Sequence, residues 1–222
     1  MLNGLSEYIS YIQNGQWAAL LLNVLYVTLA MCIAVSFHEW AHAFVAYKLG
    51  DPTAKNMGRM TLDPTKHLDL WGVICFIVFR IGWAKPVIVN SRNLKHFRRD
   101  DVLISLAGPV TNLLLAFVFY GVLFFLTHAG VDNEYVLGVL SNIFILNISF
   151  AIFNVLPIPP LDGFHVITSL FVKKNYKVVE ILNRYGFLIL VVLCMTGVLS
   201  TVLYAVYGAV SSLFYSFFSL FV

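Results

Sequence analysis

Charge is scarce in this chain. Of 222 residues only 11% are Asp, Glu, Lys or Arg and 60% are hydrophobic, whereas soluble domains carry about 25% charged residues. An ordinary soluble domain is thereby excluded, and a mean hydropathy of +0.85 agrees. Cysteine is scarce too. Cys32, Cys75 and Cys194 lie in apolar stretches without CxxC spacing, which argues against a disulfide framework or a thiolate zinc site and leaves buried thiols. The net charge of +3 is too small, and the basic residues too plainly juxtamembrane, for nucleic-acid binding. The chain shows no internal repeat, no low-complexity tract and no polar insert large enough for a second domain, so residues 1–222 are expected to form a single integral-membrane domain. The first apolar run has no basic leader and exceeds the core of a signal peptide, so it is expected to persist in the mature protein.

What the chain has is apolar length. Runs at 17–47, 102–127, 135–156 and 185–222 each exceed the roughly 20 residues that cross a bilayer core as a helix. The expected fold is an all-α polytopic membrane protein with about four to six spans. Ten Lys and Arg lie in 48–99, four in 173–184 and none elsewhere. Because translocation leaves basic residues on the cytoplasmic side, the N-terminus is expected outside and the basic loops 48–100 and 173–184 inside. The first span then runs inward over 17–47, the second outward over 101–127 and the third inward over 135–157. The link 128–134 carries Asp132 and Glu134 but no base, as an outer loop should. The apolar stretch 71–79 is too short to span and is flanked by basic loops, so it is expected to dip in and return. Residues 73–89 are rich in β-branched and aromatic side chains and are broken by Gly82 and Pro86, which suggests a short interfacial β-hairpin or re-entrant segment near 71–89. Protein or water must cover it. The run 185–222, with Gly197 and Gly208 as candidate breaks, fits either one long tilted span or two shorter ones. Phe214, Phe217, Phe218 and Phe221 read most simply as lipid-facing bulk.

Inside the first span stands His38-Glu39-Trp40-Ala41-His42, an H-E-x-x-H pattern. On a helix this spacing puts both imidazoles on one face, one turn apart, where they can share a zinc ion. Glu39 is then placed as general base towards water that the ion acidifies. His38 lies about 15 Å in from Lys48 at 1.5 Å per residue, a depth at which an ionisable group is costly and by default functional. The alternative, interhelical hydrogen bonding by these three polar residues, is the weaker reading. Two histidines need a third protein ligand, with a fourth position left open. The best source is Asn154-Val155-Leu156-Pro157-Ile158-Pro159-Pro160-Leu161-Asp162-Gly163. Its prolines end the incoming helix and present Asp162, which alternatively caps a following helix.

These features resemble the site-2 protease family of intramembrane zinc metalloproteases. The resemblance rests on the HEWAH sequence, the downstream Asn-x-x-Pro-x-Pro-Pro-Leu-Asp-Gly and Ala107-Gly108-Pro109-Val110-Thr111-Asn112. Stretches at 50–54, 58–64 and 82–87 resemble its compact prokaryotic branch, which lacks PDZ and CBS domains, and the similarity runs over about 34–172. It implies a three-helix catalytic core, one zinc ion held by His38, His42 and Asp162, and Glu39 as catalytic acid/base. It also implies cleavage of a transmembrane protein substrate within a lipid bilayer, here a bacterial or archaeal cytoplasmic membrane.

Other residues carry smaller expectations. Asn154 is expected to donate to the scissile carbonyl or the oxyanion, with an interhelical hydrogen bond as the even alternative. Asn112 either does similar work or packs. His67 is a candidate to approach the site from the cytoplasmic side, and His165 a candidate supporting group or competing ligand. His96 and His128 read as loop residues. A different class of function stays open, a non-proteolytic membrane zinc-binding protein, either a transporter or an inactive scaffold relative. Transporters tend to show repeats, and inactive relatives usually lose the glutamate, which is present here.

Overall fold

In lipid an apolar run must pair its backbone polar groups internally, so it becomes a helix. The computed structural model describes residues 4–80, 82–172 and 176–222. The helices are α1 (Gly4–Gln13), α2 (Trp17–Lys48), α3 (Thr53–Asn56), α4 (Pro64–His67), α5 (Leu70–Phe79), α6 (Phe97–His128), α7 (Glu134–Asn154), α8 (Asp162–Phe171), α9 (Tyr176–Met195) and α10 (Val198–Phe218). Among the described residues five of them, α2, α6, α7, α9 and α10, are long and apolar enough to cross a membrane. The chain is an all-α, multi-pass membrane protein.

The central unit is α2, α6 and α7, which pack on one another pairwise, with α8 against α6 and α10 against α6 and α7. Fully buried Ala30, Ala34 and Ala116 let these helices approach closely. At 32 residues each, α2 and α6 are about 48 Å long, longer than the roughly 30 Å hydrocarbon layer. α7 starts at Asn133, whose side chain accepts from the N–H groups of Tyr135 and Val136, satisfying two donors that a helix start leaves open.

The run 185–222 resolves as two helices. Gly197 adopts φ +74° between α9 and α10, a left-handed conformation that glycine takes without steric penalty, whereas Gly208 continues α10. Helix α9 starts earlier than the expected cytoplasmic loop 173–184 allows, so Lys177 and Arg184 lie on it; residues 173–175 of that loop lie outside the described residues. Of the C-terminal phenylalanines expected to face lipid, Phe217 and Phe221 are exposed but Phe214 and Phe218 are not. Those two are buried with Ala116, Phe124, Phe144 and Ile148, because Gly121 has no Cβ to keep the Phe218 ring away from α6.

Near 71–89 the chain forms a short apolar helix followed by a returning limb, and among the described residues it makes no β-hairpin. Residues 70–79 are the helix α5, capped by Asp69, whose carboxylate accepts from Trp71 N, Gly72 N and Trp83 Nε1. A helix pairs its own backbone where an isolated hairpin would leave one edge bare, and this outweighs the β-branched composition. Arg80 ends α5 in the left-handed region at φ 59°, and the chain returns as a non-helical limb, 82–90. The limbs touch: a Cβ on Gly72 would lie against the Trp83 backbone, and one on Gly82 would lie 2.7 Å from Phe76 Cβ. Among the described residues strand-like pairing is confined to a single antiparallel bridge, Leu68 to Ala84. Arg80, grouped by composition with the cytoplasmic bases, is carried by α5 to the N-terminal third of α2, where it donates to Asn23 Oδ1 and lies over the Tyr8 ring.

Candidate metal centre

The site forms where α2, α6 and α8 meet. Helix α2 is unbroken through 36–42, so His38 and His42 lie one turn apart, their Nε2 atoms 3.0 Å from each other. The proline-rich segment 155–161 interrupts the chain after α7. Gly163 lets it fold back against the Val155 and Leu156 carbonyls, and Asp162 enters as the first residue of α8. Asp162 Oδ2 lies 3.1 Å from His38 Nε2 and 3.4 Å from His42 Nε2. Helix α8 is held to α6 by a hydrogen bond from Ser169 Oγ to Asp101 Oδ2.

Whether these atoms fit a zinc ion is decided by where the protons sit. His38 Nδ1 lies 2.6 Å from Asn112 Oδ1, and His42 Nδ1 lies 2.7 Å from the Ile104 carbonyl. Both partners are acceptors, so both Nδ1 atoms carry the proton and donate it. In the neutral rings both Nε2 atoms then present lone pairs. Asp162 Oδ2 correspondingly has no hydrogen-bond partner. Two lone pairs and a carboxylate oxygen meet in a triangle with edges of 3.0 to 3.4 Å. A tetrahedral zinc site with bonds of about 2.0–2.1 Å has ligand edges of about 3.3 Å. The residues fit the ion.

Helix α6 makes room for the triangle. At Gly108 a Cβ would lie 2.5 Å from both His38 Cε1 and His42 Nε2. Pro109 has no N–H for the preceding turn of α6, the turn that also supplies the Ile104 carbonyl to His42. Glu39 is buried on the same stretch of α2, and its Oε2 accepts from the Val87 N–H at 2.9 Å. The return limb is further pinned by Lys85 N to the His67 carbonyl and by Asn90 N to Asp51 Oδ2. A cavity of about 1460 Å³ opens beside the triangle, bordered by His38, Glu39, Val87, Asn154 and Asp162.

A model of Peptidase family M50 matches residues 26–142 and 128–193, most of the chain. The chain belongs to Peptidase family M50. It is 40% identical over 182 residues to "Putative zinc metalloprotease YwhC" of Bacillus subtilis, covering 77% of this chain and 80% of that protein. It is 30% identical over 171 residues to "Putative zinc metalloprotease Rip2" of Mycolicibacterium smegmatis (74% and 64% covered). It is 35% identical over 127 residues to "Putative zinc metalloprotease MJ0611" of Methanocaldococcus jannaschii (57% and 61% covered). No solved structure matches. Within this M50 chain, zinc is the cofactor that the family, the names of these relatives and the His38, His42, Asp162 grouping all point to.

The other residues singled out in the sequence distribute unevenly. Asn154 closes α7 and borders the cavity, one amide hydrogen on the Phe150 carbonyl. Asn112 does not border the cavity; it is fully buried behind His38. His67 is fully buried at the end of α4 with Nε2 on the Thr61 carbonyl, outside the triangle. His165 is exposed on α8 at the cavity wall, outside the triangle. His96 precedes α6, and His128 ends it with its ring against Phe124. Sequence reasoning missed the Ile104 carbonyl, the Val87 N–H and Asn147. The first two are backbone groups and leave no trace in residue type. Asn147 carried a signal, since a polar side chain inside an apolar span calls for a partner.

Proposed function

We propose that this M50 chain is an intramembrane zinc metalloendopeptidase that hydrolyses peptide bonds in or near transmembrane segments of membrane-protein substrates, as in regulated intramembrane proteolysis. The supporting observation is that the ligand triangle and Glu39 share one wall of a cavity set among membrane-spanning helices. At about 1460 Å³ it exceeds the roughly 300–1,000 Å³ of small-molecule pockets and has room for several residues of peptide. In this reading residues 1–222 act as a single domain in the cytoplasmic membrane, with the N-terminus outside and the zinc end of the cavity towards the cytoplasm.

His38, His42 and Asp162 hold one zinc ion, which when bound supplies a Lewis acid that polarises the peptide carbonyl and acidifies water. Glu39 takes the proton from the attacking water and returns it to the leaving amine. The Val87 N–H occupies Oε2 and so leaves Oε1 for that transfer. Asn154 spends one amide hydrogen on Phe150 and has a second to offer the carbonyl oxygen as negative charge develops. A helical substrate must unwind before it can be cut. The return limb 82–90, whose strand-like pairing among the described residues is the one bridge to Leu68, supplies backbone for an extended peptide to pair with.

The test is zinc content together with cleavage of a model transmembrane substrate by detergent-purified protein. Wild type should hold about one zinc per chain and cut; Glu39→Gln should hold zinc without cutting; Asp162→Ala should lose zinc. Unimpaired cleavage by Glu39→Gln, or no zinc in wild type from metal-replete buffer, would overturn the reading.

A further inference from the structure

The two histidines of the triangle are held in different ways. His42 Nδ1 donates to a backbone carbonyl, Ile104 O, which can only accept, so its tautomer is settled by the α6 main chain. His38 Nδ1 faces the side-chain amide of Asn112, and an amide has two ends. Turned by 180°, it would point NH2 at Nδ1, making that nitrogen an acceptor and driving the ring proton to Nε2. His38 would then present a hydrogen, not a lone pair, to the metal position.

Two acceptors oppose that turn. Asn112 Nδ2 donates to the Ala34 carbonyl at 3.0 Å and to Asn147 Oδ1 at 2.9 Å. Asn147 is itself an amide with two ends, and its Nδ2 donates to the Ile143 carbonyl one turn back on α7 at 2.9 Å. The sequence of donors and acceptors therefore has one direction, starting from main-chain carbonyls that cannot be reversed. Ile143 C=O orients Asn147, Asn147 and the Ala34 carbonyl orient Asn112, and Asn112 puts the proton of His38 on Nδ1. Asn112 and Asn147 are both 0% exposed, so no water competes for their hydrogen bonds, and a wrongly turned amide would leave acceptor facing acceptor without compensation. Neither borders the cavity, so neither meets substrate.

We propose that Asn147 on α7 is a positioning residue for zinc, acting through Asn112 to lock His38 in the tautomer whose Nε2 lone pair faces the metal. This couples the three core helices, since the chain of hydrogen bonds runs from α7 through α6 to α2. The inference rests on the reading of His38 as a zinc ligand.

The experiment compares wild type, Asn147→Leu, Asn147→Asp and His38→Ala as full chains in detergent. Zinc affinity is measured by chelator competition, and the imidazole tautomer in the metal-free protein by NMR of 15N-histidine, with His38→Ala assigning the signal. Asn147→Leu keeps the bulk and removes one of the two acceptors of Asn112, leaving the Ala34 carbonyl; zinc affinity should fall about tenfold or more, and His38 should gain a population protonated on Nε2. In Asn147→Asp the carboxyl, kept neutral by burial, retains a carbonyl for Asn112 and an O–H for Ile143, so both readouts should return towards wild type. Asn147→Ala carries the same two readouts if the leucine variant does not fold. Affinity within twofold of wild type and an unchanged His38 tautomer in folded Asn147→Leu, or in Asn147→Ala where it stands in, would overturn the proposal. If His38→Ala itself binds zinc as tightly as wild type, it is the ligand reading that fails.

Discussion

At the scale of single residues, the centre is built by placing acceptors where isolation is unfavourable. His38 Nε2, His42 Nε2 and Asp162 Oδ2 converge within 3.4 Å while both ring protons are held on the far side by Asn112 and Ile104. A cation relieves that convergence, and α6 can come close enough to frame it only because residue 108 has no side chain. Gly108→Ala tests the point. Alanine gains about 1 kcal/mol of helix propensity over glycine, but a methyl group placed 2.5 Å from both imidazoles meets an overpacking penalty of about 1–3 kcal/mol. The second effect should win where it matters. Gly108→Ala is expected to retain zinc at least tenfold less tightly by chelator competition, on the order of a supporting-residue change, and wild-type retention would contradict the packing argument.

At the scale of elements, the pairing of α5 with the limb 82–90 matters because it brings backbone to Glu39. Its far end is moored by Asp51, fully buried at the C-terminal end of α2. Burial pushes the Asp51 carboxyl up, but the Thr53 hydroxyl, the Asn93 amide and the N–H groups of Asn90 and Thr53 together hold it below its ordinary value. A carboxyl lowered in the fold stabilises fully above its unfolded value near pH 4, and this contribution is lost as pH falls through the lower folded value. Asp51→Asn loses the charge and turns an amide NH2 towards donors, so it should destabilise the protein by about 1–3 kcal/mol at pH 7. The melting-temperature gap to wild type should narrow as pH falls below about 4. A gap that stays constant down to pH 3 would show that the carboxylate is not the mooring.

For the whole molecule, metal and fold should be linked, because the triangle draws on α2 and α8 and is braced from α6. A ligand bound only by the folded state stabilises it by about 4 kcal/mol at 1,000 times its dissociation constant. Removing zinc with a chelator should therefore lower the melting temperature of wild type, and re-addition should restore it. In Asp162→Ala the chelator should change nothing. An equal chelator effect in both proteins would place the stabilising metal elsewhere.

Much of this architecture was already legible in the amino-acid sequence. Apolar runs longer than a bilayer is thick must become helices whatever their neighbours do, and a spacing of four on a helix must put His38 and His42 on one face. The prolines at 157, 159 and 160 had to end α7, which made Asp162 available from a break. The tertiary structure decided what depends on partners distant in the chain. Residues 73–89 are rich enough in β-branched and aromatic side chains to suggest a hairpin, yet 70–79 fold as a helix, which pairs its own backbone. Gly197, not Gly208, divides the last run. Phe214 and Phe218 are core because Gly121 and Ala116 face them. The lone-pair geometry at the metal is set by the main-chain carbonyls of Ile104, Ala34 and Ile143 and a pair of buried amides, and the Glu39 carboxylate is held by a main-chain N–H. Residue types and spacings specify which side chains share a helix face; hydrogen-bond direction between helices is a property of their packing, and no local pattern encodes it.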